Sequence, residues 1–270
     1  MSKSQFLDPS AELADPGEDV SAQHQEAPLY CPSSELIQAV RLALALRRPL
    51  LLTGPSGHGK TSAAYWAAWQ LNVASKDLLH IHVRSTTSAD ELKYQFDAVS
   101  YLREAQLSAL AARSGQSSPA PEKEQFIRKG KLWLAFEQSK ESPVVLLIDE
   151  IDKAPRDVPN DLLHEMERLE FEVADLPDAS HRPTKIQAAR PEPDFKKGLL
   201  LCIITSNRER DLPDAFVRRC LHCHITLTRE EMEQALARRE LKVSPHFLKY
   251  ALDTLERSEQ YTGGREPGLS

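Results

Sequence analysis

A chain of 270 residues that is 41% hydrophobic and 27% charged has room for a sizeable core and the composition of a soluble globular protein. Its net charge of −6 excludes a chain that is basic throughout, although a local nucleic-acid patch stays open, and no run reaches the about 18 apolar residues of a membrane span. Four unevenly spaced cysteines give no disulfide framework and the first residues lack a signal-peptide core, so a reducing cytoplasm is expected.

Residues 1–28 are rich in Ser, Asp, Glu, Gln, Pro and Ala without any period, and a disordered arm is expected there. From Ser34, read as an N-cap, Leu36, Ile37, Val40, Leu42, Leu44 and Leu46 predict a helix that stops at Arg47-Arg48-Pro49. The two arginines read most simply as a basic helix end, with contact to a partner as the sharper alternative.

Leu50-Leu51-Leu52 predicts a buried strand. It runs into Gly54-Pro55-Ser56-Gly57-His58-Gly59-Lys60-Thr61, which fits G-x-x-x-x-G-K-[ST], and then into an Ala-rich helix from Ser62 to Trp69. Glycines let the backbone curl so that several N–H groups face phosphate oxygens, and the helix N-terminus adds its dipole. In this pattern Lys60 reaches the β- and γ-phosphates and the Thr61 hydroxyl ligates Mg²⁺. The stretch predicts a nucleotide site.

A second strand is expected over residues 78–83, with His80 and His82 on one face. Two histidines alone do not complete a metal site, and they read as core or edge residues. Ser88-x-x-Glu91 predicts a capping box opening one helix through Leu92, Phe96, Val99, Tyr101 and Leu102. Residues 112–124 read as a low-complexity loop, and a helix is expected from Phe126 to Gln138.

Val144 to Ile148 form an apolar run ending in Asp149 and Glu150, a strand buried on both faces with acids at its C-terminal end, where open α/β sheets bind ligands. Asp149 is placed to hold Mg²⁺ opposite Thr61, and Glu150 to orient or deprotonate an attacking water. A helix over 157–169 follows, then a hairpin from Phe171 returning near Ile186, with the rest of 174–197 as loop or insertion. Residues 199–207 predict a third buried strand. Asn207 at its end reads either as a turn residue or as a hydrogen-bond partner of the water or the γ-phosphate.

Asp211 to Arg219 predicts a short helix ending in Arg218-Arg219. These two are either a basic surface end or charge donors to a phosphate on a neighbouring subunit. A strand is expected over 221–227, with helices from Thr228 through Leu236 and over 245–255. Cys220-Leu221-His222-Cys223-His224 spells C-x-x-C-H, but inside an apparent strand, with no second cysteine pair, it reads as structural.

Gly54–Thr61, Ile148-Asp149-Glu150, Asn207 and Arg218-Arg219 occur in the order of an AAA+ ATPase, which the chain resembles over roughly residues 30–230. The segments Asp149–Ala154, Asn160–Leu163 with Met166-Glu167, and Leu212–Arg219 resemble the MoxR-like branch. The resemblance implies an α/β fold, a three-layer P-loop core with a parallel sheet over 29–227, followed by a small, shortened helical lid over 228–270. It implies that Gly54–Thr61 bind ATP, that Thr61 and Asp149 hold Mg²⁺, and that Glu150 activates water. Asn207 falls at the sensor 1 position, and Arg218 or Arg219 at the finger inserted into the adjacent protomer. Arg265 falls near sensor 2.

The resemblance further implies a homo-oligomeric ring, usually a hexamer. Its role is chaperone-like remodelling of a protein client, often beside a von Willebrand A-domain protein, with no nucleic acid expected. The rivals are a DNA-acting motor, through Arg47-Arg48 and inserted loops, and a nucleotide-gated scaffold with little turnover. A GTPase is disfavoured because no N-K-x-D motif follows the third strand.

Overall fold

The computed structural model describes residues 25–114, 119–178, 180–190, 197–226, 228, 233–235, 238, 246, 249–250 and 253. The expected arm over 1–28 falls mostly outside the described residues. So do most of the 228–270 lid and Arg265.

Five parallel strands make the central sheet: β1 (Leu50–Thr53), β2 (Leu78–His82), β5 (Val144–Asp149), β8 (Leu200–Ser206) and β9 (Leu221–His224), in the order β2-β5-β8-β1-β9. The apolar runs form strands because alternate side chains enter two different cores. Leu51, Leu146, Ile148, Cys202 and Ile204 face one layer, while Leu50, Leu52, Val145, Leu147, Leu201 and Ile203 face the other. Each such side chain, fully removed from water, contributes about 1.5–3 kcal/mol.

One core is covered by α1 (Ser34–Leu46) and α2 (Lys60–Gln70), whose face of Ala63, Ala64, Trp66, Ala67 and Ala68 lets the helix sit close to the sheet. The other is covered by α5 (Lys131–Gln138), α6 (Asp157–Asp161) and α7 (Leu163–Arg168), together with α8 (Asp214–Arg219) and the antiparallel hairpin β6 (Glu170–Pro177) and β7 (Pro183–Gln187). The result is a three-layer α/β P-loop core, as the sequence leads one to expect. The hairpin pairs Phe171 with Ile186, as expected, but its first strand runs on to Pro177.

Several boundaries differ from expectation. Ser33, not Ser34, caps α1, its hydroxyl accepting from Leu36 N at 3.2 Å. The single helix expected after Ser88 is split. Ser88 does cap a helix, α3 (Ala89–Lys93), but Tyr94 is extended at φ −163° and opens β3 (Tyr94–Phe96). Tyr94 to Phe96 pair antiparallel with β4 (Ile127–Lys129), which takes over the start of the helix expected from Phe126. Between them Asp97 caps α4 (Ala98–Arg113), none of whose residues is buried. A helical period read through Val99 and Leu102 thus described a helix whose leucines and valine stand exposed among the described residues, while Tyr101 packs its ring 5.6 Å from those of Phe96 and Phe126.

Arg47 and Arg48 do not form a plain solvated helix end. Arg47 turns left-handed (φ 53°) and donates to Ala189 O at 2.7 Å, while Arg48 donates to the carbonyls of Arg218 (2.5 Å) and Arg219 (3.0 Å). β9 ends at His224, short of the expected Leu227. Among the described residues no helix is long and apolar enough to cross a membrane.

Candidate functional site

The loop after β1 has its curl because three glycines take positive φ: Gly54 at 149°, Gly57 at 83° and Gly59 at 79°. Gly54 is also where a side chain has no room, since an added Cβ would lie 2.2 Å from Ile225 O. Pro55 and Gly59 are half-buried, Ser56 and Gly57 exposed, and His58 buried, its N–H donating to Pro55 O at 3.5 Å. Lys60 opens α2 and is buried. Its Nζ donates to Gly54 O (2.9 Å) and Pro55 O (2.7 Å), tying the ammonium to the loop that precedes it. Burial lowers its pKa, and the nearby Asp149, Asp152 and Glu150 oppose that shift.

β5 ends beside this loop. Thr61 Oγ1 donates to Asp149 Oδ1 at 3.0 Å, bringing together two residues 88 positions apart. Burial pushes the Asp149 carboxyl up, but hydrogen bonds from His80, Thr205 and Thr61 outweigh it and hold the group below the usual carboxylate range. Asp149 therefore presents a buried, ionised carboxylate next to a threonine hydroxyl. Hard oxygen donors of this kind, meeting beside a phosphate-binding loop, fit Mg²⁺.

Glu150 sits just past the strand at φ 61°, ψ 50°, a left-handed conformation that costs a non-glycine residue about 1–3 kcal/mol. It is held by its own N–H on Thr205 Oγ1 (2.8 Å). Its carboxylate takes Asn207 Nδ2 on Oε1 at 3.1 Å and Lys153 Nζ on Oε2 at 2.6 Å. Asn207 follows β8, and its backbone N–H meets Asp152 Oδ1 at 3.3 Å. Buried Asp152 also accepts from Glu209 N at 2.9 Å, which fixes the turn that presents Asn207.

The two arginines of α8 part company. Arg219 Nε pairs with Glu167 Oε2 at 3.0 Å. Arg218 is exposed, and its guanidinium has no partner among the described residues.

Sequence reasoning missed several neighbours. Thr205 Oγ1 donates to Asp149 Oδ1 at 2.6 Å, and its place two residues before Asn207 on a strand paired with β5 was the available signal. His80 and His82 lie on the edge strand β2, within the expectation of core or edge residues, but they also border Asp149: His80 Nε2 lies 3.1 Å and His82 Nδ1 3.9 Å from Oδ2. Burial, then the neighbouring His80, lowers the His82 pKa, with Asp149 opposing. The C-x-x-C-H stretch is structural. Cys220 and Cys223 enter opposite cores, and His222 and His224 both meet Thr53 Oγ1, at 2.7 and 3.0 Å.

The family model of the "ATPase family associated with various cellular activities (AAA)" matches residues 50–228. This chain belongs to the AAA ATPase family. Solved structures similar to this AAA chain include C. elegans PCH-2, at 17% identity over 84% of this chain and 55% of that one, with TM-score 0.41. Another is the S. cerevisiae Hsp104:casein complex in its extended conformation, at 16% identity over 86% and 42% of the two chains, with TM-score 0.44. The AAA chain thus spans about half the length of the proteins in those structures. No curated protein matches it significantly.

Proposed function

We propose that this AAA protein hydrolyses ATP with Mg²⁺ and uses the energy to remodel a protein partner, in the manner of the MoxR-like branch. The observation that carries the reading is the meeting of Thr61 with Asp149 at 3.0 Å, one residue before a Glu150 held by Asn207. In this reading the loop amides of Gly54–Thr61 and the Lys60 ammonium bind the phosphates. Thr61 and Asp149 hold Mg²⁺, which when bound neutralises charge on the phosphate oxygens. Glu150 takes a proton from the attacking water, and Asn207 orients it. An arginine from the next subunit of a ring balances the charge that develops. Arg218 is the better candidate because Arg219 is already engaged by Glu167. Arg265 would act from the lid.

The DNA-motor reading is weakened, because Arg47 and Arg48 each direct part of their guanidinium to backbone carbonyls of the chain itself. The low-turnover scaffold keeps one observation in its favour: both Glu150 oxygens are engaged, one by a lysine.

Phosphate release by the purified chain, compared with Glu150→Gln, tests the reading. Glu150→Gln is expected to keep ATP binding and to lose about 10²–10⁴-fold in turnover. Equal rates would sink it. The same variant with ATP, used as bait, is expected to retain the client and the ring together.

A further inference from the structure

Beyond ATP hydrolysis, we propose that His80, His82 and Asp149 form a binding site for a borderline divalent transition metal, Zn²⁺ foremost, and that metal bound there shuts the nucleotide site by taking Asp149. The second half rests on the hydrolytic reading above; the binding site itself does not.

Strand geometry creates the cluster. His80 and His82 are two apart on β2 and so project to the same face. β2 runs parallel to β5 with His82 directly opposite Asp149, which brings that carboxylate onto the face the two imidazoles share. The ligand atoms of the three residues all lie within 4.8 Å of one another. His80 Nε2 and His82 Nδ1 are 3.1 and 3.9 Å from Asp149 Oδ2. Ligands about 2.0–2.2 Å from a tetrahedral metal stand about 3.3–3.6 Å apart, so a small rotation of the exposed His82 ring closes the set.

The surroundings orient these ligands. His80 Nε2 lies 3.1 Å from Asp149 Oδ2 and Nδ1 lies 3.0 Å from Tyr65 Oη; a metal would take the place of the proton between Nε2 and the carboxylate, and the neutral ring then keeps its proton on Nδ1, donating to Tyr65. Asp149 Oδ1 takes Thr205 at 2.6 Å and Thr61 at 3.0 Å, while Oδ2, 3.3 Å from Thr61 Oγ1, is the oxygen that faces both histidines. The side chains of His80 and Asp149 are only 12% and 11% exposed, whereas that of His82 is 68% exposed. A metal would therefore enter past His82 and keep open positions for water.

Ligand chemistry selects the ion. Two imidazoles and one carboxylate suit Zn²⁺, Co²⁺ or Ni²⁺, whereas Mg²⁺ wants oxygen donors in a near-octahedral shell and gains little from imidazole nitrogen. The carboxylate that attracts Mg²⁺ beside Thr61 is thus shared with a site that prefers a different cation. With a dication on Oδ2, Asp149 has its charge neutralised and is drawn toward β2.

The test titrates the 270-residue chain, without nucleotide, with ZnCl₂ by calorimetry and with CoCl₂ by visible absorption. The site requires one ion per chain on the wild type and a cobalt spectrum of low coordination number without thiolate charge transfer. His82→Ala, an exposed position whose loss leaves the core intact, is expected to weaken binding about tenfold or more, and Asp149→Asn likewise. Zinc is further expected to depress wild-type phosphate release and to act far less on His82→Ala, each rate taken relative to the same protein without zinc. Binding unchanged in both variants, or lost instead on replacing His222 and His224, overturns the site. Zinc binding that depends on His82 in a chain with no ATPase activity upholds the site and refutes the hydrolytic reading. Phosphate release that zinc does not touch, with the ion bound at His82, overturns the shut-off.

Discussion

Thr205 Oγ1 donates to Asp149 Oδ1 at 2.6 Å while accepting the backbone N–H of Glu150 at 2.8 Å. One hydroxyl thereby fixes both acids at the end of β5. It can do so because β8 lies alongside β5, with Ile204 in register with Ile148, which sets Thr205 next to Asp149. Thr205→Val keeps the side-chain shape and removes both bonds. A hydrogen bond to a charged group contributes about 1.5–3 kcal/mol, so phosphate release is expected to fall about ten- to a hundredfold. Thr205→Ser restores the hydroxyl and most of the rate. Steady-state kinetics on the pair separates loss of the bond from loss of the fold.

Glu150 meets Asn207 on one oxygen and Lys153 on the other, the latter at 2.6 Å. An oxygen bonded to the Lys153 ammonium is not free to take the proton of an attacking water. Lys153→Met is expected to raise single-turnover phosphate release by no more than about threefold, because an ion pair this open to water is weak. Asn207→Ala should lower it. If Lys153→Met slows turnover instead, the lysine supports the base rather than restraining it.

The two arginines of α8 give opposite expectations. Arg219→Ala removes a surface pair with Glu167, whose side chains are 45% and 58% exposed, and should cost under about 1 kcal/mol of stability and little activity. Arg218→Ala removes a side chain with no partner among the described residues and should lower turnover about 10³-fold in the assembled protein. On the proposed intersubunit reading, mixing inactive Arg218→Ala with inactive Lys60→Ala subunits is expected to restore activity. Mixtures as dead as their parts would remove the intersubunit reading.

The sheet and its ligand-facing edge were legible because β1, β5 and β8 are apolar runs long enough to be buried on both faces. The phosphate loop was legible because its glycines are spaced by backbone necessity. The β3–α4–β4 excursion was not legible. Val99, Leu102, Leu107 and Leu110 carry a helical apolar signal yet stand exposed among the described residues, and periodicity cannot say whether another layer covers them. The roles of Thr205, His80 and His82 depended on strand register. Each sits opposite or beside Asp149 only once β2 and β8 are known to flank β5. A strand reading taken one segment at a time does not supply neighbours.

Cysteine chemistry follows from burial. Cys202 is fully enclosed and its pKa is pushed up, Cys220 is pushed up to about 12 by burial, and Cys223 is raised for the same reason. Thiolate is the reactive species, so all three are expected to resist alkylation at neutral pH. Cys31 is half-buried and the exception. Mass spectrometry after brief iodoacetamide treatment should find one adduct on the native chain, at Cys31, and four in denaturant. A second rapid adduct at Cys223 would mean that β9 opens readily at the sheet edge.

Gly54 ties the phosphate loop to that same edge strand. Its φ of 149° and the 2.2 Å between an added Cβ and Ile225 O leave a side chain neither a comfortable backbone nor space. The obstructing atom is backbone, and Ile225 N donates to Thr53 O at 2.7 Å, so it cannot step aside without loosening the end of β9. Gly54→Ala is expected to cost about 2–4 kcal/mol from overpacking and strain together. At about 2–4 °C per kcal/mol, the melting temperature should drop by about 5–15 °C. Gly57→Ala is the control: nothing lies within 4 Å of an added Cβ there, and only the positive φ of 83° is strained. Its expected cost is about 1 kcal/mol, read as a shift of a few degrees in the same calorimetric scan. Equal shifts for the two variants would show that the contact with Ile225 does not constrain the loop.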